Sequence, residues 1–236
     1  MLALGVIGTI VFVGGFTYTL THKQLTPIPP QTLALIAKAE QGDVAAQYSL
    51  ALCYDTGLEG LAKDSSEALK WFHKAAGQNH LESQFHLAKY YTYGFDYTYG
   101  FGTAKKDEVK GVKWWRKLAE RNQLEAFREL GYCYQEGRGV AKNDVEAAKW
   151  YCKAAELDDY VSQLVLARFY AHGRGVGQDF VEAYAWENLN SNRLGQARSF
   201  MGSLEAKMSP QQLADAEKRT KELRLEIEAR TKASSK

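Results

Sequence analysis

The chain is 236 residues long and carries 30 lysines and arginines against 28 acidic residues, for a formal charge of +2. So even a balance excludes a nucleic-acid binder driven by phosphate neutralisation. The length admits one ordinary domain or one helical array, and the three cysteines, Cys53, Cys133 and Cys152, are too few and too scattered for a disulfide framework.

Residues 2–20 contain no charged side chain. At 1.5 Å per residue a helix of that length spans about 28 Å, enough to cross a hydrocarbon core. An N-terminal apolar helix is therefore expected over residues 1–20, read first as an uncleaved membrane anchor. A cleaved signal segment is the second reading and a buried helix the third. No basic residue precedes the run and no Ala-x-Ala site follows it, which argues against cleavage. Lys23 is the only nearby fixed positive charge, so orientation has thin support from loop charge. Residues 21–32 hold Pro27, Pro29 and Pro30, which favour extended polyproline geometry and predict a semi-rigid linker.

From residue 33 the chain changes character. A partial helix is expected over 33–41, and then a set of landmarks returns at a fixed interval. Residues 130–153 read LGYCYQEGRGVAKNDVEAAKWYCK, and thirty-six residues on, residues 166–189 read LARFYAHGRGVGQDFVEAYAWENL. Tyr134 matches Tyr170, Gly137 matches Gly173, Gly139 matches Gly175, Val140 matches Val176 and Trp150 matches Trp186. Two looser copies precede them: Tyr54, Gly57, Gly60 and Trp71, then Tyr91, Gly94, Gly102 and Trp114. The tryptophan gaps are 43, 36 and 36. The long one has a visible cause, because YTYGFD at 91–96 is nearly duplicated as YTYGFG at 97–102. Such a return marks a repeat array in which each unit buries its apolar face on its neighbours.

Each unit predicts two antiparallel helices. In the first, small or apolar residues recur at i, i+4 and i+8: Ala46, Leu50, Tyr54; Ser83, Leu87, Tyr91; Ala126, Leu130, Tyr134; Ser162, Leu166, Tyr170. That spacing lays one stripe along a helix. The motif glycine ends it, since a left-handed terminal residue is cheap for glycine. The second helix is expected to start at Asp64, Asp107, Asn143 and Asp179, whose side chains can cap free backbone N–H groups. Glu67, Glu146 and Glu182 follow three residues on and predict a capping box, with Lys110 breaking the rule in the second unit. Ala51, Ala88, Gly131 and Ala167 are equivalent, as are the pairs Ala75–Ala76 and Ala154–Ala155; such small residues let helices approach closely. The units run 42–80, 81–123, 124–159 and 160–190. Beyond Trp186 the pattern degrades, as a terminal unit's must. Residues 194–208 read as a last first-type helix, and Ser209-Pro210-Gln211-Gln212 starts a highly charged capping helix to about residue 229. The cap thus spans 194–229, and 230–236 read as a disordered tail.

These landmarks resemble the Sel-1-like repeat (SLR) family, a relative of the tetratricopeptide (TPR) repeats. Ala126, Leu130, Gly131, Tyr134, Gly137, Gly139, Val140, Ala147, Trp150, Tyr151, Lys153, Ala154 and Ala155 fill its unit almost completely, and the likeness covers about residues 42–225. It implies an all-α, right-handed α-solenoid of helix-turn-helix repeats with a C-terminal capping helix. It also implies a non-catalytic scaffold or adaptor, binding a partner protein or extended peptide on its concave face, in bacteria often at the cell envelope. A membrane-anchored protein with a periplasmic repeat domain follows, and the alternative is a periplasmic protein released by signal cleavage. The regulatory subunit of an envelope enzyme is the other functional alternative.

No enzyme motif stands in the sequence, and no cofactor or metal is expected. The Gly137–Gly139 and Gly173–Gly175 pairs lack the third glycine and preceding strand of a dinucleotide site. His73, His80 and His86 lack a ligand spacing. The one stretch with binding composition is the doubled loop, with Tyr91, Tyr93, Phe95, Tyr97, Tyr99 and Phe101 among glycines. It reads either as a partner-binding surface or as a tolerated duplication.

Overall fold

The structure is a computed structural model that describes residues 10–13, 16–21, 24–94, 106–190 and 197–234. The chain divides into two compact units, Met1–Trp114 and Trp115–Lys236.

The first unit begins with three short antiparallel strands, β1 (Ile10–Val13), β2 (Phe16–Thr21) and β3 (Gln24–Pro27), in sequential order. This corrects the apolar helix expected over residues 1–20. Lack of charge does not distinguish a helix from a strand; period and residue type do. Ile10, Val11 and Val13 are β-branched, and Phe16 to Thr21 alternate a large apolar residue with threonine, the two-residue period of a strand. Val13 pairs with Phe16, so only Gly14 and Gly15 separate the strands, a composition suited to a two-residue hairpin. Residues 1–9 lie outside the described residues. No helix among the described residues is long and apolar enough to cross a membrane. The expected proline linker is also tied down. Ile28 is buried, Pro29 caps α1 (Pro30–Glu40), and the Thr32 hydroxyl donates to the Glu59 carbonyl at 2.8 Å.

The rest of the unit is helical: α2 (Val44–Thr56), α3 (Ser65–Gly77), α4 (Leu81–Tyr93) and the first half of α5 (Glu108–Glu120). From α1 to α4 each helix packs on the next. The second unit takes the end of α5 and then α6 (Leu124–Glu136), α7 (Asp144–Ala155), α8 (Tyr160–His172) and α9 (Phe180–Asn188), and from α6 to α9 each helix packs on the next. Helices α10 (Ala197–Glu205) and α11 (Pro210–Ser234) both pack on α9. Helix α11 outruns its expected end and takes in most of the tail read as disordered. Leu223 and Ile227 on it join the core of α7, α8 and α9, which carries the helix past residue 229.

The sequence stripe is the core. Leu50, Leu87, Leu130 and Leu166 are wholly buried, as are Ala51, Ala88 and Ala167 beside three of them. At the fourth of these small positions, a Cβ on Gly131 would sit 2.8 Å from the Tyr151 ring. The landmark tryptophans are less central than their neighbours one residue on. Trp114 and Trp150 are only partly buried, whereas Phe72, Trp115, Tyr151 and Glu187 are 0, 0, 3 and 2 % exposed.

The capping asparagine and aspartates act as expected. The side chains of Asp64, Asn143 and Asp179 each accept from two backbone N–H groups, and Asp107 accepts from the Lys110 N–H at 3.1 Å. The glutamates do not close the predicted box. Each capping residue's own N–H instead donates to the carbonyl of its unit's motif tyrosine: Asp64 to Tyr54, Asp107 to Tyr91, Asn143 to Tyr134 and Asp179 to Tyr170, all at 2.8–2.9 Å. The donor is thus spent across the hairpin, and Glu67, Glu146 and Glu182 turn to Lys70, Lys149 and Arg219.

Candidate functional site

Only two of the six aromatic residues singled out in the sequence fall among the described residues. Tyr93 ends α4 and is partly buried. Tyr91 is part of the framework: its carbonyl takes the Asp107 N–H and its hydroxyl lies 2.8 Å from His73 Nε2. Phe95, Tyr97, Tyr99 and Phe101 lie outside the described residues.

The His73–Tyr91 contact belongs to a register the sequence reading passed over. The residue two after a landmark tryptophan meets the motif tyrosine eighteen positions later. In the first unit of the fold this is His73 with Tyr91; in the second it is Arg116, which donates to the Tyr134 hydroxyl at 2.8 Å. The third case is Cys152 against Tyr170, packed in one apolar cluster. Because the contacting residue type changes while the tyrosine does not, single-residue matching misses the pair; only the constant spacing exposes it.

A cleft of about 530 Å³ opens in the second unit, where the ends of α5 and α7, the start of α6 and the far end of α11 meet. Phe127 and Trp150 form its floor, stacked with ring centroids 6.0 Å apart and planes 23° apart. The Lys153 ammonium lies 4.4 Å from the Trp150 centroid and 5.7 Å from that of Phe127, within cation–π range. Arg116 and Arg230 add two further cations, and Glu120 and Glu156 two carboxylates. Glu156 is already paired with Arg230. The Trp150 indole N–H is buried and has no hydrogen-bond partner among the described residues.

Phe127 is the one break in an otherwise repeated device. In three first helices the fourth residue after the N-cap is a buried glutamine. It donates to a carbonyl eight residues back: Gln47 to Ala39, Gln84 to Ala76, and Gln163 to Ala155, at 3.1, 3.3 and 3.1 Å. In α6 that position is Phe127, so an aromatic face replaces an amide. An alignment of the four units exposes this substitution, though not the cleft that follows from it.

The histidines near this register sit in the framework. His80 caps α4 through Nδ1, and His86 stacks on Phe72 at 4.5 Å and 9°. His73 has its pKa lowered, first by burial and then by Lys110. Burial pushes the Cys152 thiol up to about 11, with Glu156 and Glu182 adding to the effect, so it stays protonated and unreactive at neutral pH. Tyr54 and Tyr170 are each raised to about 12, again chiefly by burial. Among the described residues no three His, Cys, Asp or Glu side chains converge as a metal site would require.

The four units match the Sel1 repeat over residues 44–80, 81–123, 125–159 and 161–186. Among solved structures the chain is similar to c5321, a protective antigen present in uropathogenic Escherichia coli strains and displaying an SLR fold. Identity is 31 % and the TM-score 0.65, over 86 % of this chain and 42 % of that one, so the chain spans well under half of that antigen. It is also similar to a Sel1 repeat protein from Oxalobacter formigenes, at 28 % identity and a TM-score of 0.58, over 78 % of this chain and 75 % of that one. No curated protein matches it. With four consecutive units covering more than half of its length and the same hairpin closed in the same way in each, the chain belongs to the Sel1 repeat family.

Proposed function

We propose that this protein is a non-catalytic interaction scaffold that grips a segment of a partner protein. Sel1 repeat proteins generally mediate protein–protein interaction. The observation that carries the reading here is the cleft: an aromatic floor of Phe127 and Trp150 edged by cations, with no activated nucleophile or metal-ligand cluster among its lining residues. Rigid aromatic floors with charged rims are what peptide grooves use to anchor and orient a chain. The test is affinity capture on the full chain, with crosslinking to map the contacted residues. Retention of a discrete partner crosslinked to the α6–α7 hairpin is expected. A folded chain that retains nothing above a scrambled control overturns the reading.

The doubled aromatic loop is a second contact surface in this proposal. Deleting residues 96–100 should weaken partner capture without lowering the melting temperature, and unchanged capture removes the loop from the interface. The proposal also places the repeats outside the cytoplasm. Support comes from the likeness to an Escherichia coli protective antigen. Protease added to cells whose outer membrane alone has been permeabilised should digest the chain; protection until the inner membrane is also broken rejects this location.

A further inference from the structure

Three observations at the cleft converge on the chemistry of its occupant. Phe127 stands where three sister helices carry a glutamine that closes onto the preceding helix, so this hairpin alone presents a stacked aromatic pair at that place. Among the described residues Arg116 and Lys153 have no carboxylate partner: Arg116 is spent on the Tyr134 hydroxyl and Lys153 lies over the Trp150 ring. Of the two carboxylates at the cleft, Glu156 is taken by Arg230, which leaves Glu120 alone against two uncompensated cations. From these we infer that the cleft receives an acidic partner segment, with an aliphatic side chain on the Phe127–Trp150 floor and a carboxylate between the flanks of Arg116 and Lys153. The inference rests on the scaffold reading and names the partner class for the same site.

The physical case is one of complementarity. Both cations are exposed at the cleft, so a carboxylate of the segment can reach either one and form a charge-assisted contact with it. A lysine-bearing segment would bring like charge against Arg116 and Lys153 and is rejected. An apolar side chain of the segment packs on the part of Trp150 that stays exposed at the cleft.

The test uses the full chain and a fluorescein-labelled hexapeptide alternating aspartate and leucine, read by fluorescence anisotropy. Isomers with asparagine or lysine in place of aspartate serve as controls. The aspartate peptide should bind at least tenfold tighter than either control and weaken as salt rises. Lys153→Gln should cost about tenfold in affinity, from loss of one charge-assisted contact. Phe127→Gln restores the residue of the three sister helices, so it should keep the melting temperature while abolishing binding. Equal binding of the three peptides, or full binding by both variants, overturns the assignment. Self-association of the chain that Phe127→Gln abolishes also overturns it, since the cleft would then hold a second copy. If a captured partner is insensitive to both variants and to the aspartate peptide, the cleft assignment falls while the scaffold reading stands. If nothing is captured either, both fall.

Discussion

The α2–α3 hairpin of the first unit and the α6–α7 hairpin of the second are built to one plan and differ at two places. Both close through a capping N–H on a tyrosine carbonyl, and both bury a leucine completely in the first helix. Helix α2 has Ala51 and Gln47 where α6 has Gly131 and Phe127. The first difference is a matter of volume: Gly131 makes room for the Tyr151 ring. The second is a matter of satisfaction. Gln47 spends its amide on the Ala39 carbonyl, whereas Phe127 spends its face on Trp150. The shared positions hold the hairpin together, and the divergent ones decide what it offers to another molecule.

The largest effect that separates the two hairpins' surroundings lies at the second motif glycine. Gly175 has φ +68°, and a Cβ there would meet the Asp144 carbonyl oxygen at 2.1 Å, where Arg174 already grips the Asp144 carboxylate through two bonds of 2.8 Å. Gly60 has φ +76° and a Cβ there would crowd the Pro29 ring at 2.6 Å, with Ile28 and Pro27 backbone atoms at an ordinary 3.6 Å. Gly175→Ala should therefore destabilise by about 3 kcal/mol, combining a left-handed penalty with overpacking. Gly60→Ala should cost about 2 kcal/mol. Equal melting temperatures for the two variants would break the comparison.

The position after the landmark tryptophan gives the next effect, and this one depends on pH. Phe72 and Tyr151 fill it with rings; α9 fills it with Glu187, buried and with one carboxylate oxygen unpartnered among the described residues. Burial raises its pKa, with Arg168 opposing weakly. A carboxyl whose folded pKa is raised holds its proton longer in the folded state. Its contribution is complete below the usual carboxylate range and is lost as pH climbs through the raised value. Glu187→Gln should thus match the wild type near pH 4 and become the more stable protein toward pH 8. A constant gap between the two melting curves across that range would contradict the assignment.

Two smaller effects sharpen the comparison. Gly131→Ala should lose about 1–2 kcal/mol by crowding Tyr151, even though alanine is worth about 1 kcal/mol more than glycine in a free helix. A rise in melting temperature would show that the ring yields. Tyr91→Phe and Tyr134→Phe each remove one partly exposed hydrogen bond, with His73 and Arg116 respectively, and should cost about 0.5–1 kcal/mol by chemical denaturation. A larger loss in either would mean that the contact carries more than its own bond.

The repeat units, their helix caps and their buried stripe were legible because each is written in residues close together in the chain. Asp64, Asn143 and Asp179 cap with atoms two or three residues away, and a stripe at i, i+4 and i+8 is a local periodicity. What was missed depends on longer range or on a second period. The strands at the N-terminus were hidden by reading charge without alternation. The capping box failed because the donor it needed is taken by a tyrosine carbonyl across the hairpin. The cleft was invisible because Phe127, taken alone, is one more apolar residue on a helix. Its meaning comes from the three glutamines it does not match. The aromatic loop drew attention by composition, yet Tyr91 within it proves to be framework.

The bond between each motif tyrosine's carbonyl and the next cap has a consequence for how such arrays change over time. It joins residues ten positions apart in the first unit, sixteen in the second and nine in the two that follow, at nearly one length throughout. The clasp is therefore indifferent to how much chain hangs outside it, and the entropy of a longer excursion grows only with the logarithm of its length. A stuttered copy of YTYGF can be inherited there without disturbing the helices that flank it. New sequence can then be tried, kept or discarded at that spot while the stacked hairpins carry on unchanged.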